Sequence, residues 1–261
     1  MNRIEKKFIQ LKENNKKAFI AFITAGFPNL STTAELVLSL EKNGVDIIEL
    51  GVPFSDPLAD GPVIQDASAY SLKRGTNLLK ILSLVKKIRK STNIPICLMT
   101  YYNPVFRFGE THFIDKAVFS GVDGVIIPDL PPEEAEEFIR YANNSGLANI
   151  CFVAPTSSIA RIKAITKKAK GFIYYVSLTG VTGRRNKLSA DLKTNLAKIK
   201  KITSLPVCVG FGISNAHQAK VVSRISDGVI IGSAIVEKIK KNIGRRSLVQ
   251  RVASFARSLD V

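Results

Sequence analysis

The stretch 49–67, ELGVPFSDPLADGPVIQDA, places one carboxylate, Glu49, at the end of an apolar run (Val45, Ile47, Ile48). Two more, Asp56 and Asp60, follow in a turn-forming segment. A buried strand ending on an acid, with a second acid presented by the loop behind it, is an arrangement suited to general acid–base chemistry. The plainer reading of a lone Glu is a helix cap or a surface salt bridge. Against it stand three prolines and two glycines within the same stretch, which stiffen the loop and hold its side chains still.

These acids need a scaffold, and the pattern of apolar runs supplies one. Short β-like runs fall at 18–24, 45–50, 94–100, 124–128, 149–154, 172–177, 206–210 and 228–231. Helical spacing separates them at 31–43, 77–90, 112–120, 132–144, 159–169, 190–203 and 216–225, and a last helix covers 247–259. A short N-terminal helix at 1–14 and an extra helix at 62–74, after strand two, complete the set. Eight strands alternating with helices predict an α/β fold, a single (β/α)8 TIM barrel spanning 1–261 as one catalytic domain. Internal echoes agree with this: GVDIIELG at Gly44, GVDGVIIPD at Gly121 and SDGVIIGSA at Ser226. The competing fold, an open doubly wound sheet, would carry its glycine-rich turn after strand one, whereas here the richest glycine turns come last.

In such a barrel every strand's C-terminal end faces one mouth. The last three ends carry GVTG, GFG and GS, the last leading into the helix-like AIVEKI. Glycine lets main-chain N–H groups approach an anion, and a helix N-terminus adds partial positive charge, so three such turns side by side predict a phosphate site. Exclusion narrows the chemistry further. No Lys stands at a strand end, His112 and His217 both fall in helical segments, and no Ser/His/Asp set can assemble. Carboxylates remain: Glu49, Asp60 and Asp129. Alternation along strand two puts Glu49 on the face of Val45 and Ile47; if that is the barrel interior, apolar surroundings raise its pKa. Phe22 joins from strand one, and Tyr174 and Phe211 supply a flat apolar wall. The ligand so outlined has an apolar or aromatic end near two acids and a phosphate across the mouth.

The net charge of +17 raises the question of nucleic acid or an anionic membrane. The basic residues are spread over helical segments without interleaved aromatics, which fits solvated helix faces and predicts neither partner. There is no signal-peptide core and no apolar run of spanning length, so a soluble, intracellular protein is expected. Cys97, Cys151 and Cys208 each sit in a β-like run without metal-ligand spacing and read as buried thiols.

The run PFSDPLADGPVIQ, from Pro53 to Gln65, resembles the signature of the α subunits of tryptophan synthase, and the likeness extends along nearly the whole chain. The resemblance implies a lyase of the carbon–oxygen class that cleaves indole-3-glycerol phosphate by a retro-aldol reaction to indole and glyceraldehyde 3-phosphate, in L-tryptophan biosynthesis. It implies that Glu49 moves protons at indole C3 and the glycerol hydroxyl while Asp60 bonds the indole N–H. Phe22 and Tyr174 then match the indole pocket; Thr182, Gly183, Phe211, Gly212, Gly232 and Ser233 match the phosphate loops. Asp56, Asn103 and Pro104 match the contact region for a β subunit, in an α2β2 tetramer. That partner carries pyridoxal phosphate; the α chain itself has no cofactor and no metal. The family's mobile loop falls at Arg184–Lys187. The lack of a signal-peptide core leads to the expectation of a cytoplasmic protein, or one of the plastid stroma if organelle-encoded. The residues alone leave open a phosphosugar isomerase or aldolase on a similar barrel, a regulatory barrel that only activates β, and a nucleic-acid role.

Overall fold

The computed structural model describes residues 1–176, 185–210 and 212–261, the side chains of 185–190 excepted. Eight parallel strands close into a barrel in chain order: β1 (Ala18–Thr24), β2 (Ile47–Gly51), β3 (Ile96–Met99), β4 (Gly124–Ile126), β5 (Ala148–Val153), β6 (Ile173–Val176), β7 (Val207–Gly210) and β8 (Gly228–Ile231). Every residue of β1, AFIAFIT, is buried, because one face meets the barrel interior and the other meets helices. The expected (β/α)8 architecture is the one observed.

The helices are α1 (Arg3–Glu13), α2 (Leu30–Lys42), α3 (Pro62–Lys73), α4 (Leu78–Ile88), α5 (Tyr102–Phe108), α6 (Glu110–Ser120), α7 (Glu136–Asn144), α8 (Ile159–Lys168), α9 (Arg185–Lys200), α10 (Ala216–Ser223), α11 (Ser233–Lys240) and α12 (Leu248–Arg257). The N-terminal helix and the extra helix after β2 are both present. The short helix α5 is additional to the sequence reading. Its Pro104 is the third residue of the helix, where no N–H is needed, so a residue that looks like a helix breaker sits in the first turn.

At the bottom of the barrel the sequence echoes find a structural meaning. Asp46, Asp123 and Asp227 each grip the strand before their own. Their main-chain N–H groups donate to Phe19, Ile96 and Val207 oxygens at 2.8, 2.9 and 2.9 Å. Their carboxylates accept the N–H of the same three residues at 3.0, 2.9 and 3.0 Å. β2 begins at Ile47 and not at Val45 because the Val45 N–H is spent on Leu40 O at 3.1 Å, in the turn that closes α2. Asp123 is further held by Arg89 at 2.6 Å and Arg3 at 2.9 Å, so this buried carboxylate is compensated. Ile4 of α1 reaches up from below: a Cβ on Gly124 would lie 2.9 Å from Ile4 Cδ1. The bottom is thereby plugged, and the open end of the barrel is the C-terminal mouth. All three cysteines are free and buried.

Candidate active site

Ile47, Glu49 and Gly51 alternate onto one face of β2. That face is the barrel interior, since a Cβ on Gly51 would fall 2.5 Å from Phe22 Cζ. Phe22 is the ladder partner of Glu49. Glu49 is 1% exposed, and both of its carboxyl oxygens are buried with no hydrogen-bond partner among the described residues. A buried acid without a partner is costly unless it is neutral or awaits a ligand. Burial, and secondarily the charge of Asp60, push its pKa up to about 8.

Asp60 comes from the stiff loop between β2 and α3. The loop turns on itself, with Leu58 N–H donating to Asp56 O at 2.9 Å and Asp60 N–H to Pro57 O at 3.0 Å. Gln65, on α3, donates its Nε2 to Asp60 O at 2.9 Å and pins the loop's far end. The Asp60 carboxylate accepts the Tyr101 phenol proton at 3.0 Å. Burial raises its pKa to about 6, against the lowering effect of that hydrogen bond. Its charge acts on Glu49, and both acids raise the Tyr174 phenol, after burial, far above its usual range. Two acids and one buried ring therefore share a single space.

Tyr174, on β6, packs on Phe152 with ring centroids 4.7 Å apart and fills the position a Cβ on Gly210 would need. With Phe22 it gives the slot its aromatic walls. Beyond Phe22 the floor turns to main chain: a Cβ on Gly232 would touch Phe22 Cβ at 3.3 Å. Gly232 is the N-cap of α11 and makes no side-chain cap, and Ser233 is the exposed first residue of that helix. Gly212 follows β7 with φ +77°, a left-handed conformation that leaves its N–H free to point where an L side chain would not allow. Thr182, Gly183 and Phe211 lie outside the described residues, as does Arg184 of the loop expected beyond GVTG.

Asp129 is a correction. It is exposed, and its Oδ1 accepts Tyr102 N–H at 2.9 Å, so it caps the start of α5 and belongs to the scaffold of the mouth. Asp56 and Asn103 are exposed and Pro104 half-buried on the mouth's rim. Sequence reasoning passed over Tyr101 as a functional residue, although it stands just beyond the end of β3, at the barrel mouth. Among the described residues no group of three or more His, Cys, Asp or Glu is placed to hold a metal ion, and no helix is long and apolar enough to cross a membrane.

A family model described as tryptophan synthase alpha chain matches residues 8–261. The chain is 51% identical to the tryptophan synthase alpha chain of Geotalea daltonii, over 94% of this chain and 93% of that one. Identity to the alpha chain of Caldanaerobacter subterraneus is 48%, covering 99% and 98%. Among solved structures, tryptophan synthase subunit alpha from Legionella pneumophila superposes with a TM-score of 0.92 at 38% identity, covering 100% of this chain and 97% of that one. A chain of the aminoacrylate-bound tryptophan synthase of M. tuberculosis gives 0.89 at 30% identity, covering 100% and 98%.

Proposed function

The chain belongs to the tryptophan synthase alpha chain family, and from that premise we propose how its own residues divide the work of the family's reaction. That reaction is the cleavage of indole-3-glycerol phosphate to indole and glyceraldehyde 3-phosphate in tryptophan biosynthesis, and the chain is its lyase subunit.

The observation that carries the assignment is that Glu49 is buried with both carboxyl oxygens unpartnered while the Asp60 carboxylate, whose charge reaches it, is held by Tyr101. With Glu49 raised to about 8 and Asp60 to about 6, neutral pH leaves Glu49 protonated and Asp60 charged. Protonated Glu49 gives its proton to indole C3, which turns the ring into a leaving group. The positive charge that develops on the ring nitrogen is met by the Asp60 carboxylate, which accepts the N–H. Glu49, now ionised, takes the proton of the glycerol hydroxyl next to the ring. The bond between C3 and that carbon breaks, its electrons return to the ring, and the carbonyl of the aldehyde forms. The proton is back on Glu49 and the cycle is balanced.

Phe22 and Tyr174 flank the ring. Main-chain groups at Gly212, Gly232 and Ser233, with Thr182, Gly183 and Phe211, hold the phosphate, assisted by the N-terminus of α11. The rim formed by Asp56, Asn103 and Pro104 receives a β subunit, in an α2β2 assembly where the partner holds pyridoxal phosphate and this chain holds no cofactor. In support, Leu58 is 92% and Phe106 64% exposed at the same rim, apolar area that a partner would cover. We place the protein in the cytoplasm, as one catalytic domain over 1–261.

The test is indole release from indole-3-glycerol phosphate by the purified chain. The wild type releases indole slowly, and Glu49→Gln binds substrate but releases almost none. A Glu49→Gln rate equal to wild type would remove Glu49 from the chemistry.

A further inference from the structure

Tyr101 lies between β3 and α5, as the N-cap residue of α5, and three contacts leave its phenol a single orientation. Its ring stacks on Phe54 of the catalytic loop, with centroids 5.2 Å apart. Its oxygen accepts the Ala59 N–H at 3.0 Å. Its proton is then committed to Asp60 Oδ2 at 3.0 Å. The next residue is fixed in turn, because Tyr102 N–H donates to Asp129. An ionised carboxylate only accepts, so the Tyr101 hydroxyl bonded to it is the donor, while its oxygen remains able to accept the Ala59 N–H.

We propose that Tyr101 is a positioning residue for the acid pair: by donating to Asp60 it holds that carboxyl as the anion, and so leaves the pair's one proton on Glu49. The inference rests on the roles given above to Glu49 and Asp60. Burial disfavours the Asp60 anion, and the hydrogen bond from Tyr101 is what opposes that. Among the surrounding groups, Glu49 on β2 and Tyr174 on β6 feel the Asp60 charge, Asp129 acts on Tyr101, and Asp56 stands on the same loop as Asp60. Tyr101 is suited to the task, since burial and the Asp60 charge keep its own proton in place far above neutral pH. It also couples geometry to charge, because the same phenol that fixes the Asp60 anion ties residues 54 and 59 to the barrel rim.

The experiment compares wild type, Tyr101→Phe and a chain with 3-fluorotyrosine at 101. The Asp60 midpoint is followed by carboxyl-carbon NMR in the ligand-free chain, and kcat/KM for indole-3-glycerol phosphate is measured against pH. In Tyr101→Phe the Asp60 midpoint rises by about one pH unit, the cost of a lost hydrogen bond to a charged group, and the acid limb of the rate profile rises with it. Fluorotyrosine is the stronger donor and moves both the other way, a reversal that a merely structural role would not produce. If Tyr101→Phe folds and leaves the Asp60 midpoint within 0.2 unit (roughly 0.3 kcal/mol) of wild type, the inference is overturned. Should Tyr101→Phe not fold, an unmoved midpoint with fluorotyrosine overturns it equally. A midpoint that moves while the acid limb stays in place upholds the hold of Tyr101 on Asp60 and instead defeats the catalytic role given to Asp60.

Discussion

Phe22 and Glu49 stand opposite one another in the β1–β2 ladder, and the Phe22 ring tip occupies the volume that a side chain on Gly51 would require. The aromatic wall and the acid are thus fixed to each other by main-chain pairing and by a missing methyl group. Gly51→Ala would place its Cβ at 2.5 Å from Phe22 Cζ and at 2.7 Å from Cε2. The ring must swing into the slot, costing about 1–3 kcal/mol of stability and raising KM at least about tenfold by the loss of fit. Phe22→Leu removes the colliding atoms. The double variant therefore recovers the melting temperature of wild type but not its KM, which thermal unfolding and steady-state kinetics report separately.

The opposed protonation of the two acids sets a bell-shaped profile. With the proposed roles, Asp60 acting ionised and Glu49 protonated, kcat/KM is expected to fall below about pH 6 and again above about pH 8. The two values belong to the coupled pair and appear as the limbs of one curve. A flat profile between pH 5 and 9, measured with indole release at low substrate, would contradict the assignment.

Stability carries the same signature with a definite sign. The folded chain holds the Glu49 proton more tightly than the unfolded chain, whose carboxyl has the ordinary value of 4.5. Below 4.5 the group is neutral in both states and costs nothing. As pH rises from 4.5 to about 8 the unfolded state ionises first, and stability is lost, by up to about 5 kcal/mol. Glu49→Gln does not titrate. Its melting temperature matches wild type near pH 4.5 and exceeds it by several degrees at pH 9, as calorimetry across that range would show.

Much of this was legible in the sequence because it depends on local pattern. The β1 bounds, 18–24, follow from an unbroken apolar run, and Glu49 was marked by ending such a run ahead of a rigid loop. What escaped depends on contacts between distant segments. Asp129 and Asp60 are equivalent as residues near strand ends. Only the fold shows that Asp129 bonds an α5 amide while Asp60 accepts from Tyr101 and its charge reaches Glu49. Tyr101 meets Asp60 across forty-one positions, a separation no spacing rule encodes. The GVD and SDG echoes were visible as repeats, yet their purpose, carboxylates clamping the start of the preceding strand, required the ladder partners to be known.

Phe106 projects from α5 at the rim, 64% exposed, beside Tyr102 at 5.8 Å between ring centroids. If the rim receives a β subunit, this aromatic is the kind of side chain that anchors an interface. Phe106→Ser weakens the association by about ten- to a hundredfold. The indole release of the isolated chain stays as it was, because Phe106 lines no part of the slot. Titrating β subunit against the rate of each α variant separates the two effects, and equal titration midpoints would place the interface elsewhere.

Ser233 offers a test in which activity and stability move in opposite directions. It is the first residue of α11, and Gly232 before it leaves the helix's leading N–H groups without a side-chain cap. A carboxylate at this point favours the helix by about 0.3–1 kcal/mol through its partial positive charge. The same carboxylate would sit where the proposed phosphate site lies and repel the substrate phosphate. Ser233→Asp therefore keeps or slightly raises the melting temperature while KM for indole-3-glycerol phosphate climbs at least about tenfold, the penalty of two like charges at contact distance in a partly shielded site. A variant that is more stable and binds substrate as well as wild type would show that the α11 terminus is not where the phosphate is held, leaving Gly212 and its neighbours to hold it alone.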